Sequence, residues 1–212
     1  MKYVILILSV FIIHGANAEH SLKLEYSSFY SHLKKLDKEE LSNLEFAFGF
    51  ANVHTKSLCD IHKATIVTDK KNIDVSVDAE NRFTLPTEKA LKLAHAQVHL
   101  ELEQAPNQCD LSVLLQVKPA LFESGVNLEK LKSYDESFIA FFDKMGGLFS
   151  FMMPKPKGIR LVLESSSKMP ASMQQYTSST GEMLLEHDVI GRLPNDVLSQ
   201  LKVSRITAFM QN

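Results

Sequence analysis

No tryptophan occurs in this chain of 212 residues, cysteine occurs only twice, and there are just eight glycines and seven prolines. So little glycine and proline excludes collagen-like and low-complexity sequence. Two cysteines are too few for a disulfide-dense miniature scaffold or a four-thiolate zinc site. An excess of basic charge is missing as well: 23 Lys and Arg stand against 25 Asp and Glu, a net charge of −2. Nucleic acid as a partner needs a concentrated cationic face, so that class is excluded. No G-x-S-x-G, phosphate-binding glycine loop, dinucleotide fingerprint or C-x-x-C is present. An active site assembled from distant residues would leave no such signature, so an enzyme stays open as an alternative.

The one long apolar run comes first. Lys2 supplies a positive start, Tyr3 to Ile13 is apolar, and Ala16, Asn17 and Ala18 form a small-x-small cleavage pattern. The run is well short of the roughly 20 residues that cross a bilayer. These features predict a secretory signal peptide over residues 1–18, cut between Ala18 and Glu19. No cysteine follows the cut, which argues against a lipid anchor, and no later segment is long and uncharged enough to span. Loss of Lys2 leaves 22 cationic side chains against 25 anionic ones, or −3. Residues 19–212 are long enough for one domain with a sizeable core, or for two small lobes sharing one.

In an exported chain, two cysteines point to a disulfide, with a free thiol pair as the alternative. Cys59 and Cys109 each stand at the head of a β-branched, Leu-rich run, Cys59–Thr68 and Cys109–Lys118. A bond between them would close a block of strands into one loop.

Alternating patterns predict strands at Leu22–Tyr26, Leu44–Phe50, Ile73–Val77, Arg82–Pro86 and Ala96–Glu103, besides the two cysteine runs. Ser27 or Ser28 is placed to cap a short helix from Phe29 to Leu36. Asn127 is placed to cap a long amphipathic helix ending near Met145 at Gly146 and Gly147, with Leu128, Leu131, Phe138, Phe141, Phe142 and Met145 along its apolar side. Gly158–Leu163, Glu182–His187 and Val203–Met210 complete the strands, and Ser165–Gly181 is a long polar loop. The fold class is α+β: mostly antiparallel, sandwich-like strands in one or two lobes. Arg82 to Pro86, then Leu91, then a strand from Ala96 is echoed by Arg192 to Pro194, then Leu198, then a strand from Val203. Two related lobes, 19–118 and 158–212, joined by the helix over 127–145 would explain the echo; a common strand-exit signature is the alternative.

Several stretches carry a family resemblance: Leu24 to Lys34 (LEYSSFYSHLK), the Cys59 strand with its Thr68–Lys70 turn, Leu85-Pro86, Gln108 to Asp110, and Phe151 to Pro154 ahead of Gly158 to Leu161. Together they resemble a family of uncharacterised exported proteins of Gram-negative bacteria, the domain of unknown function DUF2987. The resemblance spans nearly all of residues 19–212. It implies a location in the cell envelope and no established activity, and it brings no catalytic residues with it.

Four features were weighed for chemistry. Ser165 to Lys168 has S-x-x-K spacing, but without the companion K-T-G and S-D-N signatures and in a loop it is polar connection. His95 and His99 lie four apart on an alternating strand, a solvated face rather than a metal pair. Asp74, Asp78 and Glu80 surround a turn without EF-hand spacing. The stretch 138–153 is dense in Phe and Met; it is core behind the sheets, or else an interaction surface formed by Phe149, Phe151, Met152 and Met153. The expectation is a non-catalytic periplasmic protein that needs no metal or cofactor and binds or supports a cell-envelope component. A small hydrolase, or a membrane-surface module acting through 138–153, is the alternative.

Overall fold

A computed structural model describes residues 20–146, 155–167 and 169–210. The chain forms two antiparallel sheets. Strands β1 (Ser21–Glu25), β3 (Ile61–Val67), β4 (Asn72–Val75) and β5 (Gln97–Leu102) make the first, in the order β1-β5-β3-β4. Strands β2 (Leu44–Asn52), β6 (Cys109–Val117), β7 (Pro156–Leu163), β8 (Met183–Glu186) and β9 (Val203–Met210) make the second, in the order β2-β6-β9-β7-β8. Helices α1 (Tyr26–Leu33), α2 (Lys89–Leu93), α3 (Leu128–Gly146), α4 (His187–Ile190) and α5 (Asn195–Leu198) connect or cover them. The fold is α+β and sandwich-like, as the alternating pattern predicts.

The sheets do not divide at the expected lobe boundary. Strands β2 and β6 both fall within 19–118, yet both pair into the second sheet. With β2 set aside, each half runs strand, helix, strand, strand, helix, strand: β1-α1-β3-β4-α2-β5, then β6-α3-β7-β8-α5-β9, with α4 lying just before α5. Within each half the strands stand in the same spatial order, first, fourth, second, third. The echoed residues sit alike: Leu85 and Leu193 are buried, and short helices carrying buried Leu91 and Leu198 follow.

Strand β2 is the centre of packing. Its residues pair with β6 without a break, from Leu44 opposite Val117 to Asn52 opposite Cys109. Leu44, Phe46, Phe48 and Phe50 alternate onto the inner face, which α1 and α3 cover. Phe29 of α1 meets Phe48 edge-on, with ring centroids 4.9 Å apart, and Phe83 closes the triangle at 6.1 and 5.9 Å. Each fully buried ring contributes roughly 1.5–3 kcal/mol through lost water contact. Phe46 meets Phe141 of α3 at 5.9 Å. On its other edge, β2 exchanges backbone hydrogen bonds with Phe83, and Phe83 also bridges to Val77 beyond β4. The segment 76–85 thereby joins the two sheets.

Local signals explain most element ends. The Asn127 side chain accepts the Lys130 amide at 2.8 Å, the expected cap of α3. Asn43 donates to Ser133 and Ser137 of α3, each at 3.0 Å, and so fixes the helix against the start of β2. The buried side of α3 consists of Leu131, Tyr134, Asp135, Ser137, Phe138 and Phe141; Leu128 and Phe142 are half-buried and Met145 is exposed. Helix α1 starts at Tyr26 with no side-chain cap, so neither serine serves. The Tyr26 hydroxyl explains the early start: it donates to the Pro86 carbonyl and accepts the Glu88 amide at 3.0 Å, pinning the first turn to the Leu-Pro segment. His187 does not end β8 but opens α4. Arg82–Pro86 forms single bridges rather than a strand.

Cys59 and Cys109 are bonded, with Cα atoms 6.4 Å apart. The Cys59 amide also donates to the Phe50 carbonyl at 2.7 Å. The bond therefore sits where the chain leaves β2 for β3, and it ties the start of β6 to that crossing.

Two outcomes check this account. The double variant Cys59→Ser, Cys109→Ser is expected to lose about 4 kcal/mol, from chain-entropy arithmetic on a separation of 50 residues; urea unfolding measures it, and an unchanged midpoint would contradict a structural role. A Cβ at Gly158 would lie 1.9 Å from the Leu185 carbonyl oxygen. Gly158→Ala is therefore expected to cost about 3 kcal/mol or more by forcing β7 and β8 apart.

Candidate functional site

The polar residues of the second sheet's outer face are not left to water. Glu45, Gln116, Thr207 and Arg160 stand in register across β2, β6, β9 and β7. Gln116 and Thr207 are buried and Glu45 is half-buried. The cover comes from the segment 76–84, which turns back over the sheet. Asp78 makes that turn by accepting the amides of Glu80 and Arg82 at 2.8 and 2.9 Å. Gly49 makes the approach possible, because a Cβ there would meet the Asn81 carbonyl at 3.0 Å and the Arg82 side chain at 3.4 Å. Arg205 of β9 pairs with Glu80.

Two clefts open beside this cover. One, of about 380 Å³, has apolar walls from Leu33, Leu36, Leu44, Phe46, Leu85 and Pro86, and polar groups from Asp37, Glu45, Thr84, Thr87 and Lys118. The other, of about 270 Å³, lies between the sheet and the segment 76–84 and includes Asp78, Arg82 and Gln116. They share Glu45 and Thr84. Burial pushes the Glu45 carboxyl above its ordinary range, and the Gln116 amide donating to it at 2.9 Å and the nearby Lys118 only partly offset this. Burial likewise lowers the Arg82 and Arg205 guanidinium groups, against the pull of Asp78. A half-buried acid that is costly to ionise thus stands at the junction of two clefts.

A second polar constellation lies across α3, α4 and β7. Asp135 Oδ2 is 2.7 Å from His187 Nδ1, and His187 Nε2 is 2.8 Å from the Pro156 carbonyl oxygen. Asp135 is 7% exposed, and its Oδ1 is buried without a hydrogen-bond partner. A carboxylate beside an imidazole suggests a catalytic pair, but the other ring nitrogen serves the carbonyl rather than a serine hydroxyl. In this arrangement the imidazole is a clamp.

The other positions singled out in the sequence are not brought together. His95 lies in the turn after α2 with φ +50°, whereas His99 lies in β5 and meets the Gln97 side chain at 3.0 Å. Asp74 sits in β4 opposite Thr65, apart from the Asp78 turn. Among the described residues no group of three His, Cys, Asp or Glu is placed to hold a metal ion. Ser165–Ser167 follow β7 as a polar turn in which the Ser167 hydroxyl accepts the Lys202 amide at 3.1 Å. Ala18, Glu19, Phe149, Phe151, Met152, Met153 and Lys168 lie outside the described residues. No helix among the described residues is long and apolar enough to cross a membrane.

Neither Glu45 nor the Asp135–His187 pair stood out in the sequence. Glu45 alternates with Leu44 and Phe46 as an ordinary outward residue would. Asp135 did carry a signal: it lies four residues after Leu131 and three before Phe138, a charge on the apolar side of a helix.

Glu45→Gln gives a direct check. The folded protein holds the Glu45 proton more tightly than the unfolded chain does, so its contribution is greatest below the ordinary value of 4.5 and is lost as pH rises through the folded value. At pH 7 the variant is expected to be more stable than the native chain, which thermal unfolding reads as a higher melting temperature. At pH 4 the two are expected to coincide. Destabilisation at pH 7 would show that the charge is held for the fold.

A family model described as Protein of unknown function (DUF2987) matches residues 18–163. No curated protein matches the chain, and no solved structure does. The match ends with β7, so β8 and β9, which flank that strand in its sheet, lie outside it.

Proposed function

We propose, for a chain that belongs to the DUF2987 family of proteins of unknown function, a non-catalytic role in the periplasm: binding or supporting a component of the cell envelope through the clefts that meet at Glu45. The observation carrying this reading is the pairing of apolar walls with converging polar groups. Leu36 and Pro86, backed by buried Leu33, Phe46 and Leu85, offer a limited apolar surface, and Glu45, Thr84, Thr87 and Lys118 offer the directional contacts that fix orientation. Strand β2, which carries Glu45 and Phe46, is paired along its whole length with β6, which leads into Lys118, so this part of the cleft is formed before a ligand arrives, which limits the ordering cost of binding. Export is supported by the apolar leader with its Ala18–Glu19 cut, and by a bond that lasts only in an oxidising compartment. The family match begins at residue 18, beside that cut.

Location is tested first, by fractionation with mass measurement of the processed chain; recovery in the periplasmic fraction with Glu19 at the amino terminus is expected. Binding is tested by photo-cross-linking in cells, with the reactive side chain at Thr84 or Thr87 and, as a control, at Lys70 in the β3–β4 turn. One envelope component captured from both cleft positions, and at least ten-fold less from Lys70, is the expected result. Equal capture from all three positions, or turnover of an envelope substrate by the purified protein, would overturn the reading.

A further inference from the structure

Asp135, His187 and Pro156 come from three different elements. Asp135 stands midway along α3, His187 is the first residue of α4, and Pro156 opens β7. The hydrogen bonds fix the proton inventory. A carbonyl oxygen only accepts, so the 2.8 Å contact with Pro156 requires a proton on Nε2. The 2.7 Å contact between Nδ1 and Oδ2 then requires a second proton, carried by the ring or by the carboxyl. Either way, one proton is shared between the two groups, and the pair is neutral in sum.

We propose that Asp135, His187 and the Pro156 carbonyl form a proton-operated latch, closed while the imidazole and carboxyl share that proton and opened when it is lost to solvent. Loss leaves a neutral imidazole whose one remaining proton cannot serve both contacts: held at Nδ1 it abandons the Pro156 carbonyl, held at Nε2 it sets a lone pair against the charged Oδ2, and either way the net charge of the pair falls by one. Asp135 has little access to water with which to replace the lost contact. The imidazole has some, since its side chain is 38% exposed, so the ring is the part that swings away. Opening releases the Pro156 carbonyl as well, and with it the start of β7.

The nearest charged groups favour the closed state, Asp188 by raising His187 and Glu136 by raising Asp135. Lys132 and Glu136 lie on α3 beside Asp135, Asp188 and Arg192 lie after His187 and pair at 3.6 Å, and Glu186 of β8 precedes it. Lys155 and Lys157 flank Pro156, and Lys155 stands 3.6 Å from Asp143 of α3. Burial tends to lower the His187 value, but its hydrogen bonds to Asp135 and to the Pro156 carbonyl outweigh this and raise it above 6.5. Burial raises the Asp135 carboxyl too, with the contact to His187 opposing. Both directions have the same sign: the His187 contribution is fully present below 6.5 and the Asp135 contribution below 3.8, and each is lost as pH rises through the folded values of the coupled pair.

The test is hydrogen exchange of the full chain between pH 6 and pH 9, corrected for the intrinsic rate, with ring nitrogen shifts of His187 recorded by NMR. Amides of β7 and of α3 near Asp135 are expected to lose at least ten-fold in protection as the His187 signals report loss of one proton from the pair. His187→Gln keeps a donor and cannot titrate, so its protection is expected to be flat across the same range. An equal decline in native and variant protein, or a His187 that titrates with no change in protection of β7, would overturn the latch. Should the variant fail to fold, the ring shifts of the native protein still decide: a neutral ring at pH 6, without a proton at Nδ1 or one shared with Asp135, contradicts the proposal.

Discussion

The backbone and side chains of β2 need partners in four directions, and much of the molecule is arranged to supply them. Strand β6 satisfies one edge along its whole length, and Phe83 satisfies the middle of the other. Helices α1 and α3 cover the phenylalanine face, and Arg82 lies over Gly49 on the opposite face. A strand so enclosed cannot carry unpaired polar groups cheaply, which is why the outer residue Glu45 is met by Gln116. The cost that remains at Glu45 falls where the enclosure ends and the two clefts begin.

The two halves share a strand order but not an equal inheritance of strands. The first half contributes β2 to the sheet of the second, so the sheets are bound by hydrogen bonds from a strand that belongs in sequence to one and in space to the other. The disulfide is set at the crossing where this exchange begins, and the bridge at Phe83 completes the join on the far edge of β2. The polar face with its clefts is a product of that join, since it requires β2 and the segment 76–84 together. A site built in this way depends on both halves although its lining residues come mostly from the first.

Much of the fold was legible because the signals are local. Alternation marked the long strands, Asn127 marked the head of α3, and the two cysteine runs marked the bonded strands. Local reasoning failed where distant groups decide. Tyr26 starts α1 early because Pro86 and Glu88 hold its hydroxyl, a contact that no nearby spacing announces. The lobe boundary misled because the alternation of β2 tells which side is buried but not which sheet it joins. The candidate site was less legible still: Glu45 takes its character from a covering turn more than thirty residues away, and Asp135 and His187 lie 52 apart. Resemblance named the family, and with it no residue of the site.

The exchange of β2 also sets an order of events in time. Asn52 must wait for Cys109, and Leu44 for Val117, before the central strand has its partner. Contacts so distant along the chain form slowly. Until β6 has been synthesised, a strand bearing three phenylalanines has an open edge and a bare face, the combination most prone to misassembly. Production of this protein is therefore most vulnerable midway through its chain, and a truncation between the halves would strand its most adhesive segment.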